Sequence, residues 1–258
     1  MIQRRHGVEN LKVKGFEIFN PFQAISHLGY LKEWEAVKKE FSELPLDPFC
    51  DPNYIRKRRY SYAYINSHSH ELTWPPDSYD EQCVYYQGNF NNEHKDIHRK
   101  FPSISIGVRR NPILKLLIDN DFNRTFWRTA EVRQYRVGIH LVRLMVTPHS
   151  PRAVASPDVL HRDGEAFTFV HLVNRQGVSG GENTVATIDA VGLKAGDATS
   201  AQIHARFVLE RDLDSFAVCD DMVCHAVDSV VLADGADHGF RDVILIDFTP
   251  VLPVLGMN

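Results

Sequence analysis

The chain reads as mainly β with an N-terminal helical part, and two features predict it. Beyond about residue 130 the apolar residues fall into short runs of period two, rich in Val, Ile, Leu and Phe, with turn residues between them. Ahead of these runs lie stretches whose apolar residues recur at helical spacing. Many short strands in close succession, without intervening crossover helices, favour a β-sandwich or jelly roll over a parallel sheet.

Over residues 21–44, Phe22, Ile25, Leu28 and Leu31 recur at every third position, followed by Val37, Phe41 and Leu44, which predicts a helical segment. Pro45, Pro48 and Pro52 end it. Residues 58–65 predict a strand, because Tyr60, Tyr62 and Tyr64 alternate with smaller residues. Residues 66–100, rich in His, Asn, Pro and Asp, read as mostly loop. Pro112 suits the first turn of a second helix carrying Ile113, Leu116, Leu117, Phe122 and Phe126. Strands are then predicted over 132–146, 166–173, 183–189, 203–210, 215–218, 226–232 and 243–248, separated by Gly and Asp turns. No repeat or low-complexity tract interrupts this order. The expectation is one domain over 1–258, with a helical and loop part that supplies a lid (1–129) and a jelly-roll core (130–250).

Composition excludes several function classes. At 258 residues with 43% hydrophobic content, the chain can bury a sizeable core. A net charge of −4 gives no electrostatic reason to expect nucleic acid or an anionic membrane as partner. No run approaches the roughly 18 to 20 apolar residues that span a bilayer. The first residues lack the apolar stretch of a secretory signal. The four cysteines (Cys50, Cys83, Cys219, Cys224) contain no Cys-x-x-Cys pair, so a reducing, cytoplasmic setting is expected.

The informative stretch is Leu160-His161-Arg162-Asp163-Gly164. On an extended segment His161 and Asp163 project to one side, offering an imidazole and a carboxylate to a divalent metal. Two histidines and one carboxylate with open positions suit a non-haem Fe(II) oxygenase. Alone, His-x-Asp is weak, since the chain has 13 histidines and a polar pair beside a turn is the plain alternative. His225 lies among later strand-like residues, and Arg241 stands at the entrance to Val243-Ile244-Leu245-Ile246. A planar guanidinium there suits the distal carboxylate of an oxo-diacid.

With these residues in order, the sequence resembles the small bacterial 2-oxoglutarate/Fe(II) dioxygenases that hydroxylate free L-amino acids, the isoleucine hydroxylases among them. The matching elements are His161-Arg162-Asp163-Gly164, Asn174-Arg175, Ser179-Gly180-Gly181-Glu182, Asp220 to His225 and Gly239-Phe240-Arg241-Asp242, with a looser echo at Arg58-Arg59-Tyr60. The resemblance spans residues 130–250 and implies a double-stranded β-helix (jelly-roll, cupin-like) core flanked by helices. It implies His161, Asp163 and His225 as iron ligands, Arg241 as the oxoglutarate anchor, and Fe(II), 2-oxoglutarate and O2 as cofactors, with ascorbate as a stimulant. Ser156-Pro157-Asp158-Val159 departs from the Glu-Gly-Ile of that family, at the border of its substrate region.

The implied reaction hydroxylates an unactivated C–H of an amino acid with an aliphatic or thioether side chain, releasing succinate and CO2. Alternatives are a peptide- or carrier-bound substrate, desaturation or sulfoxidation, and a silent metal- or ligand-binding jelly roll. Arg58, Arg59 and Arg136 are candidates for the substrate carboxylate, against the plain reading of solvated or cross-strand charges. The basic run at 56–59 beside tyrosines is a weak nucleic-acid signal in an acidic chain. His94 and His98, His68 and His70, and Cys219 and Cys224 read as loop or core residues rather than ligands. Glu182 is a candidate partner for a ligand histidine. The expected partner is a small-molecule amino acid, with no nucleic acid and no membrane; a homodimer is left open.

Overall fold

A computed structural model describes residues 10–88, 90, 93–126 and 132–251 (for Ala24, Ser78 and Tyr79 the backbone alone), so the N-terminus read for a secretory signal lies largely outside it. The strands are β1 Phe16–Phe19, β2 Ile55–Asn66, β3 Leu72–Thr73, β4 Gln82–Tyr85, β5 Arg99–Pro102, β6 Gln134–Val146, β7 Arg152–Ala153, β8 Phe167–Gln176, β9 Val178–Gly180, β10 Glu182–Ala186, β11 Ile203–Val208, β12 Ser215–Cys219, β13 Cys224–Val227, β14 Val230–Leu232 and β15 Gly239–Pro250. The helices are α1 Phe22–His27, α2 Leu31–Glu40, α3 Ile106–Arg109 and α4 Pro112–Phe122.

The predicted helix over 21–44 is broken. Gly29 takes φ 76° between α1 and α2, a left-handed conformation that a residue without Cβ adopts freely. α2 buries Trp34 and Val37, and a 3-10 turn at Phe41–Glu43 then buries Phe41. α4 starts as predicted: Pro112 fills its first turn, and the Asn111 side chain accepts the Ile113 N–H at 2.9 Å.

A seven-stranded antiparallel sheet, in the order β1-β12-β8-β15-β6-β2-β3, organises the molecule. β1 and β2 come from the N-terminal half, so the core begins well before residue 130. β2 pairs with β6 over its whole length, from Ile55 opposite Met145 to Asn66 opposite Gln134. One face of the sheet carries Ile139, Leu141, Phe169, Ile246 and Phe248, packed against Trp34, Val37, Ile113, Leu117 and Phe122 of the helical layer. The other face presents Val170, Leu172, Phe216 and Val243 to Val185 and Phe207 of the three-stranded sheet β11-β10-β13. Two sheets enclosing one core with helices on the outer face make the jelly roll that the period-two pattern predicts.

One local expectation fails: the expected strand over 226–232 divides between β13 and β14, which belong to different sheets. Residues 66–100 are mostly loop, as expected, but they also carry β3, β4 and the start of β5, strands too short to stand out as a period. Among the described residues no helix is long and apolar enough to cross a membrane.

Candidate active site

The inner face of the large sheet forms the floor of a cavity of about 120 Å³. Register decides which side chains meet there. Arg58 of β2 stands opposite Val142 of β6, which stands opposite Val243 of β15. The next row is Tyr60, His140 and Leu245, and the row beyond brings Gly138 opposite Asp247. Side chains two residues apart along a strand share a face, so Arg58, His140 and Asp247 lie diagonally across three strands on one side.

The opposite wall carries His161, Asp163 and His225. Among the described residues, this is the one group of three potential metal donors whose ligand atoms lie within 4.8 Å of one another. A single antiparallel bridge fixes the histidines: His161 N–H donates to His225 O at 2.9 Å and His225 N–H to His161 O at 3.0 Å. The His161 Nδ1–H donates to Val159 O at 2.8 Å, which leaves the Nε2 lone pair facing inward. Asp163 Oδ1 lies 3.5 Å from His161 Nε2, and Oδ2 lies 3.5 Å from His225 Nε2.

Asp163 follows no regular strand, and Asp220 holds it instead. The Asp220 carboxylate accepts the N–H groups of Asp163 and Gly164, each at 2.8 Å. Arg162 points away, donating to Asp220 O at 2.6 Å and Asp221 Oδ1 at 2.7 Å. Gly164, at φ 80°, turns the chain against the Phe90 ring, where a Cβ would collide. Burial raises the Asp163 pKa, but the His225 and His161 imidazoles outweigh it and hold the carboxyl well below the usual range. Burial pulls His225 down to about 4, so it stays neutral near pH 7.

Arg241 lines the same cavity from β15. It is buried, and its Nε and Nη2 have no hydrogen-bond partner. Burial, and secondarily Arg175, lower its pKa to about 10. Leaving guanidinium donors buried without an acceptor is costly, and an anion in the cavity would offset that cost.

The candidates for the substrate carboxylate separate. Arg58 faces the cavity, while Arg59, one residue on, donates to Ser103 O at 2.8 Å and lies 3.7 Å from Glu40 on the other face. Arg136 donates to the Tyr60 hydroxyl at 2.8 Å and stacks over Tyr62 rather than lining the cavity. His98 stacks on Tyr86, His94 meets Phe49 edge-on, and His68 and His70 sit on the turn after β2. Cys219 and Cys224 are core residues. Glu182 pairs with Arg206 at 3.8 Å instead of a ligand histidine. Sequence reasoning passes over Arg99, His140, Glu165 and Asp247, which all line the cavity. Burial, and then the Asp247 charge, push Glu165 up to about 9.

The chain is similar to known proteins over most of its length. The family model described as 2OG-Fe dioxygenase matches residues 38–247. The chain is 29% identical over 227 residues to 3(1)-hydroxy-L-isoleucine 4-dioxygenase of Pantoea ananatis, covering 85% of this chain and 82% of that protein. It is 23% identical over 249 residues to L-isoleucine-4-hydroxylase of Bacillus thuringiensis, covering 93% of this chain and 98% of that one. The crystal structure of IDO from Bacillus thuringiensis superposes with a TM-score of 0.74 at 21% identity, covering 96% of each chain, which is a likeness of fold. With the family model matched across most of its length, the chain belongs to the 2OG-Fe dioxygenase family.

Proposed function

We propose that this dioxygenase hydroxylates a free L-amino acid with an aliphatic or thioether side chain, using Fe(II) held by His161, Asp163 and His225 and 2-oxoglutarate anchored by Arg241. The observation that carries the reading is the meeting, in one cavity, of the donor triad with guanidiniums that lack carboxylate partners. The names of the two enzymes compared above, both of isoleucine chemistry, support an amino acid as substrate.

The residues present fit both groups. Imidazole and carboxylate donors suit Fe(II), and Asp163 Oδ2 is buried without a hydrogen-bond partner. The buried Nε and Nη2 of Arg241 suit the distal carboxylate of an oxo-diacid. When bound, iron and oxoglutarate would activate O2, one oxygen atom going to the succinate formed with loss of CO2 and the other to the hydroxyl placed on the C–H carbon. The protein's own work is positioning. The Val159 carbonyl keeps the His161 proton on Nδ1, Asp220 fixes the turn that aims Asp163, and Arg58 is the arginine placed to take a substrate carboxylate. Val142, Val170, Phe216 and Leu245 give the cavity apolar walls suited to an aliphatic side chain and to excluding water.

The whole chain is read as one catalytic unit, with residues before 130 supplying the lid side of the cavity through Tyr85, Gln87 and Arg99. Stimulation by ascorbate, a cytoplasmic setting and the absence of a nucleic-acid partner belong to the same proposal; a homodimer is compatible with it. The test is a screen of the twenty amino acids for substrate-stimulated succinate release with Fe(II), oxoglutarate and ascorbate. Stimulation by leucine, isoleucine, methionine or a close relative is expected. Turnover of an amidated amino acid or a peptide as fast as the free acid would replace this reading with a carrier- or peptide-bound substrate.

A further inference from the structure

Three guanidiniums line the cavity without a carboxylate within ion-pair distance among the described residues: Arg58, Arg99 and Arg241. The fourth, Arg56, is already neutralised by Asp47 at 2.6 Å. Oxoglutarate accounts for Arg241 in the reading above, and a single carboxylate could answer both of the others. Arg58 and Arg99 share one aromatic support. Arg58 Cζ lies 4.3 Å from the Phe101 ring centre and 5.5 Å from that of Tyr85; Arg99 Cζ lies 4.9 Å from Tyr85 and 5.7 Å from Phe101. The Nε atoms of both are buried and unpartnered. Two like charges held together in an apolar wall are unfavourable until an anion joins them.

The counterpart is Asp247. Its Oδ1 accepts the Gly138 N–H at 3.2 Å, and its Oδ2 faces His140 Nε2 at 3.3 Å. No lysine or arginine lies within ion-pair distance of it among the described residues, so its carboxylate keeps acceptor capacity toward the cavity. Gly138 is what lets the carboxylate fold down there, since a Cβ would lie 2.4 Å from its oxygens. His140 spans the gap: its Nδ1 accepts from Arg58 Nη2 at 2.6 Å, leaving Nε2–H directed at Asp247. Tyr60 stacks on that ring at 4.5 Å and Tyr85 meets it edge-on at 4.7 Å, so the spacer is held on two sides.

We propose that these groups read the two poles of the substrate: Arg58 and Arg99 take the α-carboxylate, Asp247 takes the α-ammonium, and His140 sets their separation. The proposal rests on the free-amino-acid reading. It adds that both poles are required, and it leaves Val142, Val170 and Leu245 to face the side chain.

The test compares kcat/KM for the best amino acid in the screen with two analogues, one with the amino group replaced by hydrogen and one lacking the carboxylate. The wild-type enzyme should prefer the amino acid to each analogue by about 100-fold or more, because a site built around buried polar groups rejects a ligand that leaves them unpaired. Asp247→Asn should narrow the preference over the deaminated acid by about tenfold or more. Arg99→Gln should narrow the preference over the decarboxylated amine instead. A purely structural role would lower all three substrates by one factor, and unchanged ratios in both variants would overturn the proposal. Should either variant fail to fold, the wild-type comparison decides: an analogue that matches the amino acid overturns it. Stimulation by amino acids with flat ratios defeats this proposal alone, whereas stimulation by no amino acid defeats the underlying reading as well.

Discussion

Gly181 lies against the side chain of Arg241: a Cβ on Gly181 would stand 3.4 Å from Arg241 Cδ, 3.6 Å from its Nε and 3.0 Å from Val230 Cγ1. Gly181 also has φ 73°, where an L side chain is strained. Gly181→Ala should therefore lower stability by about 1 kcal/mol and raise the KM for oxoglutarate. Gly181→Val, with more volume at the same contact, should raise it further. Denaturant titration and oxoglutarate-dependent rates check the two parts, and an unchanged KM in both variants would separate Arg241 from the co-substrate.

Arg241→Lys keeps the charge and loses the planar fork. The expected loss is roughly 1.5 to 3 kcal/mol, read as a KM for oxoglutarate about ten- to a hundredfold higher. Steady-state kinetics with oxoglutarate varied measures it. If the constant does not move, another basic residue of the cavity holds the co-substrate.

His161→Ala, Asp163→Ala and His225→Ala should each abolish turnover and weaken binding of Mn(II), a non-oxidising stand-in for iron, in equilibrium dialysis. His94→Ala and His98→Ala should leave both intact, because those rings pack on Phe49 and Tyr86. Full activity in any one of the first three variants would remove that residue from the metal site.

Asp220 reaches Asp163 and Gly164 through their backbone N–H groups alone, yet it fixes the turn that aims a proposed ligand. Asp220→Ala should reduce Mn(II) affinity by about 10- to 100-fold, the range found when the groups that orient metal ligands are removed. Calorimetric titration of the metal-free protein measures this, and wild-type affinity would mean that the turn holds its shape unaided.

His140 links the cavity to pH. Burial, and then Arg58, lower its pKa to about 4 in the folded state, against an ordinary 6.5. Between those values the unfolded chain binds a proton that the folded chain does not. Stability from this group is thus complete above pH 6.5 and declines as pH falls toward 4, by up to about 3 kcal/mol. His225, also near 4, acts in the same direction, while Glu165, raised to about 9, opposes both by favouring the folded state at low pH. Urea denaturation of the metal-free protein at pH 7 and pH 5 should show a smaller drop for His140→Asn than for wild type. Equal drops would show that His140 is not protonated on unfolding in that range.

The cavity wall that carries the donor cluster, and Arg241, were legible in the sequence because His161, Asp163 and Arg241 lie in short motifs whose residue types are unusual together. The facing wall was not. His140 and Asp247 are single polar residues within apolar strands, and nothing local distinguishes them from ordinary alternation. They meet only because Gly138 pairs with Asp247 across β6 and β15, a register set by the whole sheet. Period two implies that Arg58 and Arg59 face opposite ways, but not which of them faces inward. Arg99 was hidden for another reason: its strand is four residues long and follows a polar stretch, so the β4–β5 hairpin read as loop. The early strands β1 and β2 escaped the predicted core because their partners, β12 and β6, lie far along the chain.

The large sheet has a consequence for biosynthesis. β15, the last of the described strands, is its central member, flanked by β8 and β6. While the chain emerges from a ribosome, β2–β6 and β8–β12 can form only as two separate halves, each with an open edge. Their joining waits for residues 239–250 to clear the exit tunnel. Such long-range closure makes for slow folding and leaves unpaired edges exposed to other chains in the meantime. Because Arg241 sits on that same strand, the step that seals the sheet is also the step that completes the cavity.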